Sequence, residues 1–155
     1  MEVIKAPQSL STSVGYSIFL AGSIEMGTAV NWQNSVEWGL APFNGTIYNP
    51  RRDDWDSSWI QSIDHPKFYE QVNWELDAME QAATIAVYFD PMTKAPITLL
   101  ELGLFTHSKK LVVCCPHGFW RKGNVDIVCR RYGIEQVDTL EALIATLARK
   151  LPNYD

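Results

Sequence analysis

The sequence predicts an α/β chain: a single-domain, three-layer flavodoxin- or Rossmann-like sandwich around a central, mostly parallel sheet of about five strands. Three observations predict it. The short β-rich apolar runs "YSIFLAG" (16–22), "TIAVYFD" (84–90) and "KLVVCCP" (110–116) each close on a Gly, Asp or Pro, as strands buried on both faces do. Segments with helical spacing lie between them, and strand–helix alternation implies parallel crossovers. The length, 155 residues, suits one domain (1–155) that buries about 70% of its unfolded surface without staples.

Taken in order, residues 1–15 have no signal-peptide core and are expected as a loose lead. After the first strand, "TAVNWQNSVEWGL" (28–40) repeats apolar residues at Ala29, Trp32, Val36 and Leu40. "GTIYNP" (45–50) is a weaker strand signal. "KFYEQVNWELDAMEQA" (67–82) repeats them at Phe68, Val72, Leu76 and Met79, and "ITLLELGLFTHS" (97–108) is apolar around most of its circumference. Past the third strong strand, "PHGFWRKGNVD" is a polar loop entering a helix. "IEQV" (134–137) reads as a short last strand. "DTLEALIATLARKL" is the best-signed helix, with Asp138 as N-cap, Glu141 three residues on, and Leu140, Leu143, Ile144, Leu147 and Leu151 on one face.

Composition narrows the function. The formal net charge is −5 and no basic run is sustained, which disfavours a nucleic-acid polymer, whose binding rests on phosphate neutralisation. Cys114 and Cys115 are neighbours on a strand and point to opposite faces, so with Cys129 they read as small buried hydrophobes in a reducing compartment. No zinc-ligand spacing appears, and no metal or organic cofactor is signalled. No apolar segment approaches the roughly 20 residues of a membrane span, and a cytoplasmic location is expected.

Ligands of parallel sheets sit beyond the carboxyl ends of the strands, so the residues that follow the strands carry the functional signal. Gly22 and Ser23 form either an ordinary strand–helix turn or a place where backbone N–H groups meet a ligand. The loop "YNPRRDDWDSSW" (48–59) holds Arg51, Arg52, Asp53, Asp54, Trp55 and Asp56. It is either a solvated charged loop or a binding loop for a flat heterocycle. Asp77 fits a surface carboxylate by helical spacing. Asp90 ends a strand. Glu101 lies in "PITLLELGLF", a carboxylate among leucines, about a turn inside a helix that Pro96 opens. The positive helix end favours its ionised form, and such a carboxylate is either a helix-face Glu or a nucleophile toward an electrophilic sugar carbon. Asn124 serves binding or capping equally well, and Asp126 follows it.

From about Ser17 to Arg131 the order of these segments resembles the nucleoside 2-deoxyribosyltransferases, and more closely the subgroup with the wording "LLELGL…GFWRKGNVD". The likeness rests on "FLAGS", on "DHPKFYEQVNWELDAME" with its His65–Pro66 pair, on "ELG" and on "GNVD". The "ELG" tripeptide alone is weakly specific, and its order with Asp77 before and Asn124 after is more so. The resemblance implies that Glu101 is the nucleophile that attacks C1′ of a 2′-deoxynucleoside. A deoxyribosyl ester then waits for an acceptor base. It implies that Asp77 holds the sugar, tunes Glu101 and moves a proton to or from the base. It implies that Asn124 bonds the 5′-hydroxyl in a neighbouring subunit's site, so that the partners are a deoxynucleoside, a free nucleobase and further copies of the chain in a dimer or larger oligomer. Gly22, Ser23, Arg52, Asp53 and Trp55 would line the base pocket. Asp90 is the nearest counterpart of the family's base-binding acid, at a longer spacing, and Asp126 stands where some members carry Met. Two other functions remain compatible with the same residues. One is an N-glycoside hydrolase of deoxynucleosides or nucleoside 5′-monophosphates, against whose phosphate Asp126 argues. The other is a non-catalytic module that binds a nucleotide-like ligand.

Overall fold

A computed structural model describes residues 1–10, 15–24 and 30–152. Its strands are β1 (Glu2–Lys5), β2 (Ser17–Gly22), β3 (Thr46–Asn49), β4 (Thr84–Tyr88), β5 (Leu111–Cys114) and β6 (Glu135–Val137). Its helices are α1 (Trp32–Leu40), α2 (Pro66–Gln81), α3 (Pro96–Phe105), α4 (Lys122–Tyr132) and α5 (Leu140–Lys150). The strands form one sheet in the order β1-β3-β2-β4-β5-β6, and every neighbouring pair is parallel. The expected sandwich is present, with one strand more than the sequence suggested.

That strand is β1. Glu2–Lys5 is not a loose lead but the sheet edge, in register from Glu2↔Thr46 to Lys5↔Asn49. Only Ile4 of its four residues is buried, so the run carries too little apolar signal to be read as a strand. Residues 11–14 of the same lead, and Ala29 of the first helical repeat, lie outside the described residues.

Alternation along the strands builds two cores. On one face α2, α3 and α4 pack through Trp74, Ala78, Leu102, Val125 and Cys129 against Phe19, Ile85, Val87 and Val113. On the other, α1 and α5 pack through Trp32, Val36, Leu40, Leu143 and Leu147 against Ile18, Leu20, Ala86 and Val112. Cys114 belongs to the second core and Cys115 to the first, as the period of two requires. All three cysteines are buried and free. Burial pushes their thiols up to about 12, 11 and 12 for Cys114, Cys115 and Cys129, so they carry no thiolate reactivity.

Two helix starts differ from expectation. Thr139, not Asp138, caps α5: its hydroxyl accepts the Ala142 N–H at 3.1 Å, while Asp138 pairs with Lys122 at 2.9 Å. In α2 His65 is the N-cap, its Nδ1 accepting the Phe68 N–H at 3.2 Å, with Pro66 in the first turn. The face of α2 that is buried runs through Gln71, Trp74, Ala78 and Met79. Phe68, Val72 and Leu76 are only half-covered.

The topology places a crevice. Adjacent strands β2 and β4 send their chains to opposite faces, β2 into α1 and β4 into α3. Strand order reverses there, which is where open parallel sheets bind ligands.

Candidate active site

The mouth of that crevice is closed by a dense polar cluster. Ser23 donates its N–H to the Tyr88 carbonyl (3.3 Å), and its Oγ lies 2.8 Å from Thr93 Oγ1 and accepts the Asp90 N–H (3.2 Å). Its carbonyl accepts the Trp32 indole N–H (3.3 Å). Asp90 is buried, and its carboxylate accepts the N–H groups of Val30 (3.2 Å) and Met92 (2.9 Å). A Cβ on Gly22 would come within 2.6 Å of both Trp32 Cζ2 and the Tyr88 carbonyl. Glycine is thus required there so that Trp32 can pack on β4. The structure brings Gly22, Ser23 and Asp90 together, and their hydrogen bonds organise the mouth of the crevice.

The loop after β3 is held by Arg52. Its guanidinium is buried and bidentate to Asp54 (2.9 and 3.1 Å), and also donates to Glu70 Oε1 (3.1 Å) and Gln71 Oε1 (3.4 Å). These carboxylates hold its pKa above the ordinary arginine value, led by the hydrogen bond to Asp54. The charge is compensated within the loop and α2. Asp53 is exposed and pairs with Lys5 at 3.0 Å, facing β1. Trp55 packs on Trp59 with ring centroids 4.9 Å apart.

Gln71 connects this cluster to the carboxyl groups. Its Nε2 donates to the Pro50 carbonyl (2.9 Å) and to Glu75 Oε1 (2.8 Å). Glu75 is near enough to Glu101 of α3 for its charge to act on it. Burial, and next the charge of Glu75, push the Glu101 carboxyl up to about 8. Burial also pushes Glu75 up to about 7, against the lowering hydrogen bond from Gln71. The sequence-based expectation that the helix end keeps Glu101 ionised is therefore overturned. Glu101 is the sixth residue of α3, past the turn in which the helix dipole acts, so desolvation prevails.

Asp77 is not brought to Glu101. Two residues past Glu75, it lies about 200° farther round α2. It is exposed and lines a shallow polar cavity of about 430 Å³ with Gln8, Ser9 and Glu80. Glu75 is the carboxylate that sequence reasoning passed over. The signal was available: Glu75 stands one turn after Gln71 and flanks the buried residues Trp74, Ala78 and Met79.

On α4 the two expected contacts separate. Asn124 is exposed in the first turn, and the N-cap is Arg121, without a side-chain bond. Asp126 accepts from Lys122 Nζ (3.1 Å) and Gln136 Nε2 (2.5 Å). Lys122 is shared with Asp138 (2.9 Å), so one cation stands against two carboxylates and the repulsion of phosphate expected from Asp126 is lessened rather than removed. Ahead of α4, Trp120 donates its indole N–H to the Lys94 carbonyl (2.9 Å). Lys94 Nζ lies 4.4 Å and Arg121 Cζ 4.2 Å from the centre of the Trp120 ring, which ties together the loops that follow β4 and β5.

Comparison with known families returns a match over residues 15–119 to the model described as nucleoside 2-deoxyribosyltransferase like. The chain belongs to this family. The matched region spans β2 through the loop after β5 and so contains both carboxyl groups, the Ser23–Asp90 cluster and the Arg52 loop. No curated protein matched the chain. Membership in the nucleoside 2-deoxyribosyltransferase-like family supports an enzyme of the glycosyl-transfer or glycosyl-hydrolysis type in nucleotide metabolism. No helix among the described residues is long and apolar enough to cross a membrane.

Proposed function

We propose that the protein transfers the 2-deoxyribosyl group of a 2′-deoxynucleoside from one nucleobase to another through an ester on Glu101. The observation that carries this reading is the pair of half-buried glutamates, Glu75 and Glu101, whose carboxyls loss of water pushes up to about 7 and about 8. Like-charged carboxyls in low dielectric share one proton near neutrality. As positive charge develops at C1′, the ionised form of Glu101 is favoured and the proton belongs on Glu75. The C1′–N bond breaks, the base leaves with that proton, and a Glu101 carboxylate oxygen bonds C1′. Attack by the acceptor base nitrogen reverses the step: the ester C–O bond breaks and the acceptor's proton returns to the pair. This is the retaining pattern of two carboxyls across an oxocarbenium-like state. Gln71 orients Glu75 and is a positioning residue.

In the same proposal Asn124 of a neighbouring copy holds the sugar 5′-hydroxyl. An apolar ridge on α3 supports association: Ile97, Leu100 and Leu104 are 60–66% exposed and recur at helical spacing. The reaction proposed requires no cofactor, and a cytoplasmic place would suit salvage of free nucleosides.

A second reading, hydrolysis of a nucleoside 5′-monophosphate, draws on the exposed side chains of Lys94 and Arg121 at the same sheet edge. One experiment separates the two. The protein is incubated with thymidine and hypoxanthine, products are resolved by chromatography, and Glu101→Gln is run in parallel. Deoxyinosine formed by wild type and lost in the variant is the expected outcome. Free thymine and deoxyribose without deoxyinosine would favour hydrolysis, and no turnover of any nucleoside or nucleotide would overturn both.

A further inference from the structure

Two buried side-chain donors in the described residues have no acceptor: Gln33 Nε2 and Trp55 Nε1. Gln33 is 0% exposed, although it is a polar residue in the first turn of α1. Buried polar groups are almost always paired, and an orphan donor loses its water without recompense. Packing alone gives no reason to hold an amide there.

Gln33 stands in the first turn of α1 and Trp55 in the loop after β3, two segments that Arg51 links. Arg51 NH1 donates to Gln33 Oε1 at 3.5 Å, which turns the amide NH₂ away from Arg51. The preceding residue, Pro50, accepts from Gln71, which also holds Glu75. Trp55 follows in the same loop. The acceptors around them are engaged: Asn49 Oδ1 takes the Arg51 N–H (2.9 Å), Glu37 Oε1 takes Asn49 Nδ2 (2.6 Å), and Gln71 Oε1 takes Arg52. What this corner leaves unused is donor capacity.

We propose that Gln33 and Trp55 are specificity-determining residues that read carbonyl oxygens on the base, so that the enzyme takes oxo-bases such as hypoxanthine and uracil over amino-bases such as adenine and cytosine. The inference rests on the nucleoside reading of the site. An amino group directed at these donors would leave both sides unpaired, and sites of this kind reject such analogues far more strongly than apolar pockets do. Both donors are closed off from solvent, so the proposal carries with it that the loop after β3 parts from α1, where Arg51 and Gln33 meet, to admit the base.

The test measures kcat/KM for deoxyribosyl transfer from thymidine to hypoxanthine, adenine, uracil and cytosine, in wild type, Gln33→Glu and Trp55→Phe. Wild type is expected to favour each oxo-base about 10- to 100-fold. Gln33→Glu, still paired with Arg51, exchanges donors for acceptors and is expected to erase or reverse the preference. Trp55→Phe is expected to weaken it, and decides alone if the Gln33 variant does not fold. Equal use of both base classes by wild type, or an unchanged preference in folded variants, would overturn the inference while leaving base exchange intact. If no base is exchanged at all, the nucleoside reading fails. Calorimetric binding of free hypoxanthine against adenine then decides: tighter hypoxanthine binding lost in the variants sustains the inference, and equal or absent binding ends it.

Discussion

The Arg52 cluster and the Glu75–Glu101 pair lie next to each other, share Gln71, and treat charge in opposite ways. Around Arg52 the buried cation meets Asp54, Glu70 and the Gln71 carbonyl oxygen. Around the glutamates Glu75 has one donor, from Gln71, and Glu101 has no hydrogen-bond donor among the described residues. A compensated charge holds a loop in place. An uncompensated one raises the energy of its ionised form, which a proton or a ligand that brings positive charge relieves. Under the proposed function, the difference separates residues that shape the site from residues that act in it.

The largest effect should come from Glu101→Gln. Exchange activity is expected to fall about a thousandfold or more, while thermal stability at pH 8 is kept or raised, since a desolvated carboxylate has been removed. A melting temperature that drops as far as the activity would show Glu101 to be structural and would dissolve the contrast.

Arg52→Met should do the reverse. It strands Asp54, Glu70 and Gln71, at a cost of roughly 2–3 kcal/mol of stability, less than for a fully buried pair because its partners face solvent. Denaturant titration measures it. Activity per folded molecule is expected to fall much less than in Glu101→Gln.

The pH dependence sharpens the comparison further. Exchange needs one proton on the pair, so its rate is expected to peak near neutrality and fall on both sides. Glu75→Gln should lower the rate and remove the alkaline limb. Stability has its own sign. A carboxyl whose pKa rises from 4.5 to about 7 on folding, as that of Glu75 does, binds protons more tightly in the folded state. It therefore stabilises the fold at low pH, and that contribution is lost as pH rises through this window. Melting of wild type against Glu75→Gln from pH 4 to pH 8 should show the variant gaining relative stability as pH rises. Parallel curves would refute the buried-pair assignment.

The smallest expected effect is at Ala95. This buried residue precedes α3 with φ at +47°, a region glycine enters with less strain. Ala95→Gly should change stability by less than about 1 kcal/mol and leave the Glu101 contrast intact, whereas Ala95→Val should disturb both stability and exchange.

The strong strands and helices α1, α2 and α5 were legible because their apolar residues repeat with the period of their element, from Ile18 and Leu20 to Leu143 and Leu147, whereas α3 was read from an apolar run and α4 only as the helix that a polar loop enters. β1 was not, because a four-residue edge strand with one buried side chain has no period to read. Glu101 was conspicuous as a carboxylate inside "PITLLELGLF". Its partner was misassigned to Asp77, since one sequence window contains both acids and only the rotation of α2 tells them apart.

The sequence by itself determined the sandwich, the alternation of its strands and helices along the chain, and the oddity of Glu101, because local propensity and hydrophobic period act along the chain. Only the tertiary structure decided that the charge of Glu75 acts on Glu101, that Arg52 is locked, that Lys122 is shared between Asp126 and Asp138, and that Gln33 Nε2 is left without an acceptor. Each of these depends on side chains far apart in sequence competing for the same partners, and on how much water the surrounding elements exclude, neither of which a one-dimensional pattern records.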